Sequence, residues 1–202
     1  EPAPDPTTDV GVAGAQAYVL EHVPEWIDKY GTNSAYFCTN DAHTEPLLKK
    51  LLELGGYFIE ADLPSPLMGY PGALGIDLTE EAGDFQKILA KVEAAVVEKG
   101  GAGRFGTWAY SYGYTVSAGL AEHARNVILG TSELNDIDAI SAAYGVFSPG
   151  AEWNGSNYTN VDTGVKSDNT FLIYQDTYIM GNPGHYMGST EIEVPEEYFT
   201  VK

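Results

Sequence analysis

The chain has 202 residues, 44% of them hydrophobic and 12% aromatic, a composition that supports a sizeable core and argues against intrinsic disorder. Its 29 acidic and 10 basic side chains give a net charge of -19, which disfavours nucleic acid as a partner because the field repels phosphate. The single cysteine, Cys38, excludes an intrachain disulfide, and no apolar run reaches the length of a membrane span.

The amino terminus predicts a linker followed by a helix. Residues 1–9 contain three prolines and are typical of a linker. From Val10 onwards, apolar side chains recur at helical spacing on one face, and Gly31 marks the end of the helix. This stripe consists of Val19, Val23, Trp26, Ile27 and Tyr30.

The next stretch predicts a strand–helix–strand unit with two parallel strands. The apolar run from Ala35 to Thr39 is typical of a central strand buried on both faces, with Cys38 as a buried structural thiol. Leucines at helical spacing follow, Gly55 and Gly56 end the helix, and a second strand begins at Tyr57. Two strands joined by one helix pair in parallel in the same sheet.

Polar side chains follow both predicted strands. Asn40 and Asp41 come directly after the first, and Asp62 follows the second. Ligands of parallel sheets bind beyond the carboxyl ends of the strands, so these three are candidate contacts. The proline- and glycine-rich loop over residues 63–78 adds Tyr70 and Asp77 as candidates, or is a surface loop that packs on itself.

The remaining pattern completes an α/β fold, a parallel sheet flanked by helices. A helix starting at Thr79, a strand over residues 104–108 and a further helix are predicted, the last with an apolar stripe of Val116, Leu120, Val127 and Ile128. Residues 137–146 fit a helix or a strand.

Residues 148–202 are rich in turn residues, with a single β segment over 171–180 and an edge strand over 191–194. We therefore expect an α/β lobe over 10–147 and an irregular, β-containing part over 148–202 packed on the same domain.

Four stretches carry a resemblance to a known family. DPTTDVGVAGAQ at 5–16, TND at 39–41, PSPLMGYPGALGID at 64–77 and GRFGTW at 103–108 resemble an uncharacterised family of bacterial lipoproteins, which look like type I periplasmic solute-binding proteins. The match corresponds to the later part of a longer family sequence, so the resemblance implies an amino-terminal lobe outside this chain. It also implies an extracytoplasmic, lipid-anchored protein in which Asn40 hydrogen-bonds the ligand and Asp41 caps the helix behind it.

The aromatic residues after the third strand extend the candidate binding site. Trp108, Tyr110 and Tyr112 are predicted to lie at the same sheet edge as Asn40, and aromatic faces beside polar groups suit a sugar, a nucleoside or an amino-acid-like ligand. We expect a non-enzymatic solute-binding protein without cofactor or metal, whose partners are that ligand, the amino-terminal lobe and a membrane transporter or receptor.

Two rival functions fit the same sequence. Ala109, Ser111 and Gly113 match a variant of the α/β-hydrolase nucleophile elbow, with Ser111 as nucleophile and His185 as base. Asp162, Asp168 or Asp176 would orient the histidine. Two features argue against the hydrolase interpretation: bulky tyrosines crowd the turn, and too few strands precede the serine. A structural cell-surface module would explain the acidity and the Asn-rich carboxyl third equally well.

Overall fold

The computed structural model describes residues 1–188, in which six helices and seven strands follow one another. The helices are α1 (Gly11–Tyr30), α2 (Thr44–Leu54), α3 (Tyr70–Leu74), α4 (Phe85–Glu98), α5 (Tyr112–Ile128) and α6 (Ile137–Gly145). The strands are β1 (Ala35–Tyr36), β2 (Tyr57–Phe58), β3 (Phe105–Thr107), β4 (Trp153–Thr159), β5 (Lys166–Gln175), β6 (Tyr178–Met180) and β7 (His185–Tyr186).

The main sheet has the order β1-β2-β3-β6-β7. Strands β1, β2 and β3 are parallel, whereas β6 and β7 add on in antiparallel orientation. Strands β4 and β5 form a separate two-stranded antiparallel ribbon. This confirms the α/β class, a mostly parallel sheet flanked by helices with a β-containing carboxyl-terminal part.

The position predicted for the first strand was wrong. β1 lies at the edge of the sheet rather than at its centre, and only Ala35 and Tyr36 form the strand. Phe37 keeps 49% of its surface exposed, while Cys38 is buried as expected. An apolar run of this length does not reveal whether one or both sides of a strand are paired.

The helices α1, α2 and α4 pack their apolar stripes into one core with β2 and β3. α1 ends at the predicted Gly31 and accommodates Pro24 in its interior, and α2 ends at the predicted Gly55. Phe58 and Phe105 stack at the centre of this core, which is completed by the buried leucines of α2 and valines of α4.

Two predicted helix starts differ in detail. Thr79–Glu81 form a short 3₁₀ turn, and α4 begins after Asp84, whose carboxylate accepts a hydrogen bond from the Lys87 amide. Likewise Asn40 caps a 3₁₀ turn over Asp41–His43 that precedes α2. Acidic and amide side chains cap both α-helices and 3₁₀ turns. The capping residues alone therefore did not show which of the two begins at these positions.

The apolar stripe predicted for α5 is not its buried face. Thr115, Gly119 and His123 are the buried residues, whereas Leu120 is 50% and Ile128 84% exposed. The small face lets α6 approach closely, since a Cβ atom on Gly119 would overlap the ring of Tyr144. The buried face of α5 is therefore marked by small side chains, and a search for hydrophobic residues does not detect it.

The predicted β segment over 171–180 is divided between two sheets. β5 ends at Gln175 in the ribbon, and β6 starts at Tyr178 in the main sheet. The chain thus forms a sheet unit (α1 to β3 with β6 and β7) and a ribbon unit (α5, α6, β4 and β5). The strand predicted over 191–194 lies outside the described residues.

Candidate functional site

Two chain segments connect the sheet unit to the ribbon unit, and they lie side by side. Residues 108–111 lead from β3 to α5, and residues 175–177 lead from β5 back to β6. Because Thr107 of β3 pairs with Tyr178 of β6, both segments leave the sheet at the same place. We call residues 108–111 and 175–177 together the junction. Adjacent connections of this kind are where two units hinge against each other.

Residues 60–64 run along the junction from the end of β2. At one end of this segment Glu60 accepts a hydrogen bond from the Thr177 hydroxyl at 3.3 Å. At the other end the carbonyl of Pro64 accepts one from the Tyr112 amide at 3.0 Å. Asp62 lies between these two anchors and is exposed. The fold therefore places the predicted Asp62 next to both connections.

Asp41 belongs to the same polar edge. Its carboxylate accepts a hydrogen bond from the Leu63 amide at 3.2 Å, which ties the turn after β1 to the segment after β2. Burial raises the pKa of Asp41, and the nearby charge of Asp62 raises it further, although the bond from Leu63 opposes the shift. The neighbouring carboxylates of Asp41 and Asp62 favour a positively charged or hydrogen-bond-donating ligand.

Asn40 is present at this edge, and its side-chain oxygen already accepts one hydrogen bond. The donor is the Ala42 amide at 3.0 Å, so Asn40 caps the turn that leads into α2. Its NH₂ group and the second lone pair of the oxygen remain for a ligand. The structure thus brings Asn40, Asp41 and Asp62 together.

Glu60, which contacts Thr177 of the junction, has a strongly perturbed carboxyl group. Burial raises its pKa to about 7, the charge of Asp176 contributes in the same direction, and the bond from Thr177 opposes both. Asp176 is itself buried and accepts a hydrogen bond from the Gly188 amide at 2.8 Å. A carboxyl that titrates near neutrality beside a chain connection is typical of functional sites as well as of structural networks.

Aromatic side chains close the junction on the ribbon side. Trp108 is 6% exposed and packs edge-to-face against Trp153 at 5.4 Å between ring centroids, and it contacts Tyr112 at 5.7 Å. Trp153 in turn packs against Tyr144 at 4.7 Å. Tyr112 is 37% exposed and is the most accessible of the predicted aromatic contacts. A ligand at this edge would contact the ring of Tyr112 more readily than that of Trp108.

Three predicted contact residues have other places in the fold. Tyr70 is 1% exposed and its hydroxyl donates to the Gly106 carbonyl, so it belongs to the core rather than to a surface loop. Tyr110 is buried and donates to the Pro149 carbonyl. Asp77 is exposed and accepts hydrogen bonds from the amide and hydroxyl of Thr79, as in a local turn.

The geometry of Ser111 lacks the features of a nucleophile elbow. Ser111 has an ordinary extended backbone (φ -63°, ψ 127°), whereas the elbow needs a sharp, strained turn. Within residues 1–188 no hydrogen bond joins Ser111 to His185, which is exposed on β7. Asp162 and Asp168 lie at the exposed end of the ribbon, and Asp176 is engaged with Gly188.

Sequence reasoning missed Thr177 in the junction and Glu60, which accepts its hydrogen bond. Glu60 was visible as the first acid after the second predicted strand, only two positions before Asp62. Thr177 carried no signal, because the single predicted β segment over 171–180 concealed the change of sheet. Gln175 was also missed; it is 1% exposed, lies opposite Trp153 in the ribbon, and none of its side-chain polar atoms has a hydrogen-bond partner.

Two further structural findings bear on function. No group of three or more His, Cys, Asp or Glu side chains in the described part of the chain is placed to hold a metal ion. Among the helices of residues 1–188, none has the length and apolar character needed to cross a membrane. A cavity of about 680 Å³ lies beside β1 and α1 rather than at the junction.

A family model described as "Protein of unknown function (DUF3798)" matches residues 1–106, more than half of the chain. The chain belongs to the DUF3798 family. A second family model matches residues 117–201. The first part of this DUF3798 chain therefore corresponds to α1 through β3 of the sheet unit, without the strands β6 and β7 that complete it.

Two similar proteins each match less than half of this chain. An "Uncharacterized protein" of Treponema pallidum (strain Nichols) is 38% identical over 97 residues, which are 48% of this chain and 43% of that protein. A second "Uncharacterized protein" of the same strain is 28% identical over 87 residues and is covered over 96% of its length.

One solved structure shares the fold. The crystal structure of a "Putative transcriptional regulator" from Clostridium difficile 630 has a TM-score of 0.71 and 20% sequence identity. The match covers 89% of this chain and 50% of the Clostridium chain, so this chain spans about half of that protein. At this identity the likeness establishes the architecture alone.

Proposed function

We propose that the chain is part of an extracytoplasmic solute-binding protein that holds a small polar ligand at the junction. The observation that carries the proposal is the position of the acidic residues. Glu60, Asp41 and Asp62 follow the carboxyl ends of β1 and β2, beside the two connections between the sheet unit and the ribbon unit. A ligand bound there contacts both units and favours the closed arrangement of a hinge.

The chemistry of the junction narrows the ligand class. The accessible groups are carboxylates, the Asn40 NH₂ group and the ring of Tyr112, so the site offers hydrogen-bond acceptors, an amide donor and one aromatic face. Sugars, nucleosides and amino-acid-like molecules with an amino group meet this pattern, whereas phosphorylated ligands are disfavoured by the carboxylates. The net charge of -19 also disfavours phosphorylated ligands.

The cellular setting belongs to the same proposal. A lipid-anchored, extracytoplasmic binding protein would present its closed, ligand-bound form to a membrane transporter or to a receptor. The Clostridium protein is described as a "Putative transcriptional regulator", so sensing of the ligand is an alternative output of the same site. In both cases the ligand stabilises the closed form, and an amino-terminal lobe completes the cleft.

The test begins with native mass spectrometry of the gently purified protein, before and after denaturation, to find a bound small molecule. A panel of sugars, nucleosides and amino acids is then screened by thermal unfolding. A ligand at 100 times its Kd stabilises the folded state by about 2.7 kcal/mol. We expect Asp62→Asn to abolish most of this stabilisation, because the carboxylate lies at the accessible edge of the junction.

The matched control is Asp162→Asn, which removes the same charge at the far end of the ribbon. Ligand stabilisation that survives Asp62→Asn, or that Asp162→Asn reduces equally, would contradict a site at the junction. If the chain alone binds nothing, the screen is repeated with the polypeptide expressed from its own start codon. A second negative result rejects the solute-binding function.

The hydrolase alternative is tested in the same preparation. A fluorophosphonate probe labels an activated serine covalently, and Ser111→Ala would remove that label. We expect no labelling, since Ser111 has no base within hydrogen-bonding distance among the described residues. Labelling that depends on Ser111 would replace the binding proposal by an acyl-transfer enzyme, whereas the absence of both ligand and label would favour a structural surface module.

A further inference from the structure

A small cleft lies where the sheet unit meets the loop between α6 and β4. One wall is the face of α4 that carries Leu89 and Glu93, and another is the loop at Pro149. Three tyrosines, from the junction and from β6 and β7, complete this tyrosine cleft: Tyr110, Tyr178 and Tyr186. Its volume is about 230 Å³, whereas pockets for drug-sized ligands measure about 300–1,000 Å³. The cleft therefore fits one small head group, which would contact both units.

The tyrosines of the cleft offer ring surface. The Tyr110 hydroxyl donates to the Pro149 carbonyl at 2.8 Å, and the Tyr178 hydroxyl donates to the Glu93 carboxylate at 3.1 Å. The rings of Tyr178 and Tyr186 stand at 80° with centroids 5.3 Å apart, so they form two adjoining walls. Burial raises the pKa of both to about 12, which keeps the rings neutral at physiological pH. The face of a neutral tyrosine ring is negative and attracts cations.

Glu93 contributes a negative charge whose hydrogen-bonding capacity is largely used. Its carboxylate accepts a bond from the Gly181 amide at 2.9 Å. The Tyr178 hydroxyl lies within reach of both carboxylate oxygens, at 3.1 and 3.3 Å. A primary ammonium brings three N–H donors that need acceptors, whereas a quaternary ammonium brings none. The cleft thus supplies charge and aromatic faces, which suit the quaternary group better.

No cation of the described chain serves these rings. Neither Lys nor Arg from residues 1–188 lines the cleft, and the cation–ring contacts in this part of the chain lie elsewhere, at Tyr30 and Phe105. After β7, the Met187 amide donates to the Thr177 carbonyl and the Gly188 amide to the Asp176 carboxylate. By Gly188 the chain therefore runs beside the junction and has passed the cleft.

We propose that the tyrosine cleft binds a small quaternary ammonium group, with the rings of Tyr178 and Tyr186 around it and Glu93 as its counter-charge. Aromatic rings beside a carboxylate are a recurrent means of recognising such groups. The net charge of -19 attracts cations to the protein as a whole. The proposal does not rest on the proposed function, because neither Asp41 nor Asp62 lines this cleft.

The test is a titration of the isotope-labelled chain with choline, followed by the backbone amide NMR signals of Gly181 and Tyr186. The control ligand is the tert-butyl analogue of choline, in which an uncharged carbon replaces the nitrogen. We expect choline to shift both signals with a Kd of about 1 mM or lower. The analogue should bind at least about fivefold more weakly, because it has the same shape without the charge.

Variants of Tyr186 locate the aromatic contact. Tyr186→Leu removes the ring, whereas Tyr186→Phe removes only a hydroxyl that makes no hydrogen bond within residues 1–188. We expect Tyr186→Leu to weaken choline binding at least about fivefold and Tyr186→Phe to change it by less than about twofold. Tyr174→Leu, on the exposed side of the ribbon, is the matched control. The comparison of the two ligands on the wild-type protein does not depend on how these variants fold.

A second pair of variants tests the counter-charge. Glu93→Gln removes the charge and keeps an acceptor for the Gly181 amide. We expect it to weaken choline binding by about fivefold and to leave the binding of the uncharged analogue unchanged. Glu98→Gln removes the same charge at the exposed end of α4 and should leave both affinities as they are.

Quaternary ammonium groups occur in free solutes and in lipid head groups, and vesicles separate the two sources. We expect the protein to stay in the supernatant of sedimented phosphatidylcholine vesicles, because the lipid phosphate would lie close to Glu93 and the acidic surface. Sedimentation with the vesicles that Tyr186→Leu abolishes would support the same recognition chemistry and identify the source as a lipid head group.

Four results would overturn the inference. The first is no shift of the Gly181 and Tyr186 signals at about ten times the expected Kd. The second is equal binding of choline and its uncharged analogue. The third is choline binding that Asp62→Asn abolishes and Tyr186→Leu preserves, which would place the cation at the junction. The fourth is choline binding that appears only in Lys202→Ala, which would assign the cleft to the chain's own terminal lysine.

Discussion

Glu60 illustrates how the fold changes the chemistry of a single residue. In sequence it is one of 29 acidic residues, distinguished only by its position directly after the second predicted strand. The return of the chain through Thr177 covers it, and the resulting loss of hydration raises its pKa to about 7. Burial of a carboxyl favours its neutral form, because low polarity penalises the charge.

Glu60 should make the stability of the protein fall as the pH rises towards neutrality. Its folded pKa of about 7 lies above the ordinary value of 4.5, so the folded state retains a proton that unfolding releases between these pH values. We expect Glu60→Gln to gain about 1–2 kcal/mol relative to wild type between pH 4.5 and pH 7.5, after allowance for the partial exposure of the group. Urea denaturation at both pH values measures this, with exposed Glu98→Gln as control; parallel wild-type and Glu60→Gln curves would refute it.

Cys38 should behave as an inert thiol in the folded protein. It is buried, and loss of hydration raises its pKa to about 12, so little thiolate forms near neutral pH. We expect a water-soluble thiol reagent to label it at the rate of unfolding and to label it rapidly in denaturant. Fast labelling under native conditions would show that the β1 region opens locally.

At the scale of elements, the contact between α5 and α6 depends on small residues. Gly119 faces the Tyr144 ring, and Thr115 and His123 share the same buried side of the helix. The His123 ring contacts the Leu134 carbonyl at 3.0 Å, which fixes the loop between the two helices. Helices approach closely where side chains are small, so a hydrophobic stripe identified the wrong face.

Gly119→Ala should therefore destabilise the protein although alanine is the better helix former. The added methyl group would overlap the Tyr144 ring and lie 2.9 Å from its Cα atom, which can move only with the backbone of α6. We expect a loss of about 1–3 kcal/mol in the free energy of unfolding. Gly113→Ala in the same helix meets nothing within 4 Å and should be neutral or stabilising by up to about 1 kcal/mol. Equal effects of the two changes would disprove the close contact.

At the scale of the whole molecule, the acidic surface is the dominant feature. The net charge of -19 is spread over a chain with only six ion pairs among its described residues, four of them between a residue and its third neighbour. Exposed pairs of this kind contribute little to stability. Repulsion between the remaining carboxylates therefore opposes the compact state at neutral pH.

Sodium chloride should stabilise the folded protein at neutral pH. Screening shortens the range of charge repulsion from about 30 Å at 0.01 M to about 3 Å at 1 M ionic strength. We expect Tm to rise by about 2–5 °C over that range at pH 7, since repulsion in the compact state decreases more than in the unfolded chain. The same series near pH 4.3, the isoelectric point, serves as control. A Tm that does not depend on salt at pH 7 would contradict this reading of the surface.

The sequence by itself determined the local elements and the fold class. Helix periodicity and glycine stops located α1 and α2, and the apolar runs located β2 and β3 with their parallel pairing. The polar residues after the first two strands, Asn40, Asp41 and Asp62, were also found from sequence, because the carboxyl ends of parallel strands meet at one edge. Helix ends and strand positions depend on residues close together in the chain, and the parallel pairing follows from the helical connections between successive strands.

Only the tertiary structure decided which strands lie at the edge and which groups meet at the junction. β1 is an edge strand because of its place in the sheet order, and Glu60 meets Thr177 across 117 positions of sequence. Tyr70 lies in the core because the loop that carries it folds back to the Gly106 carbonyl. Contacts over such separations depend on how whole elements pack, and hydrophobic periodicity reports only that an element has a buried face, without identifying what covers it.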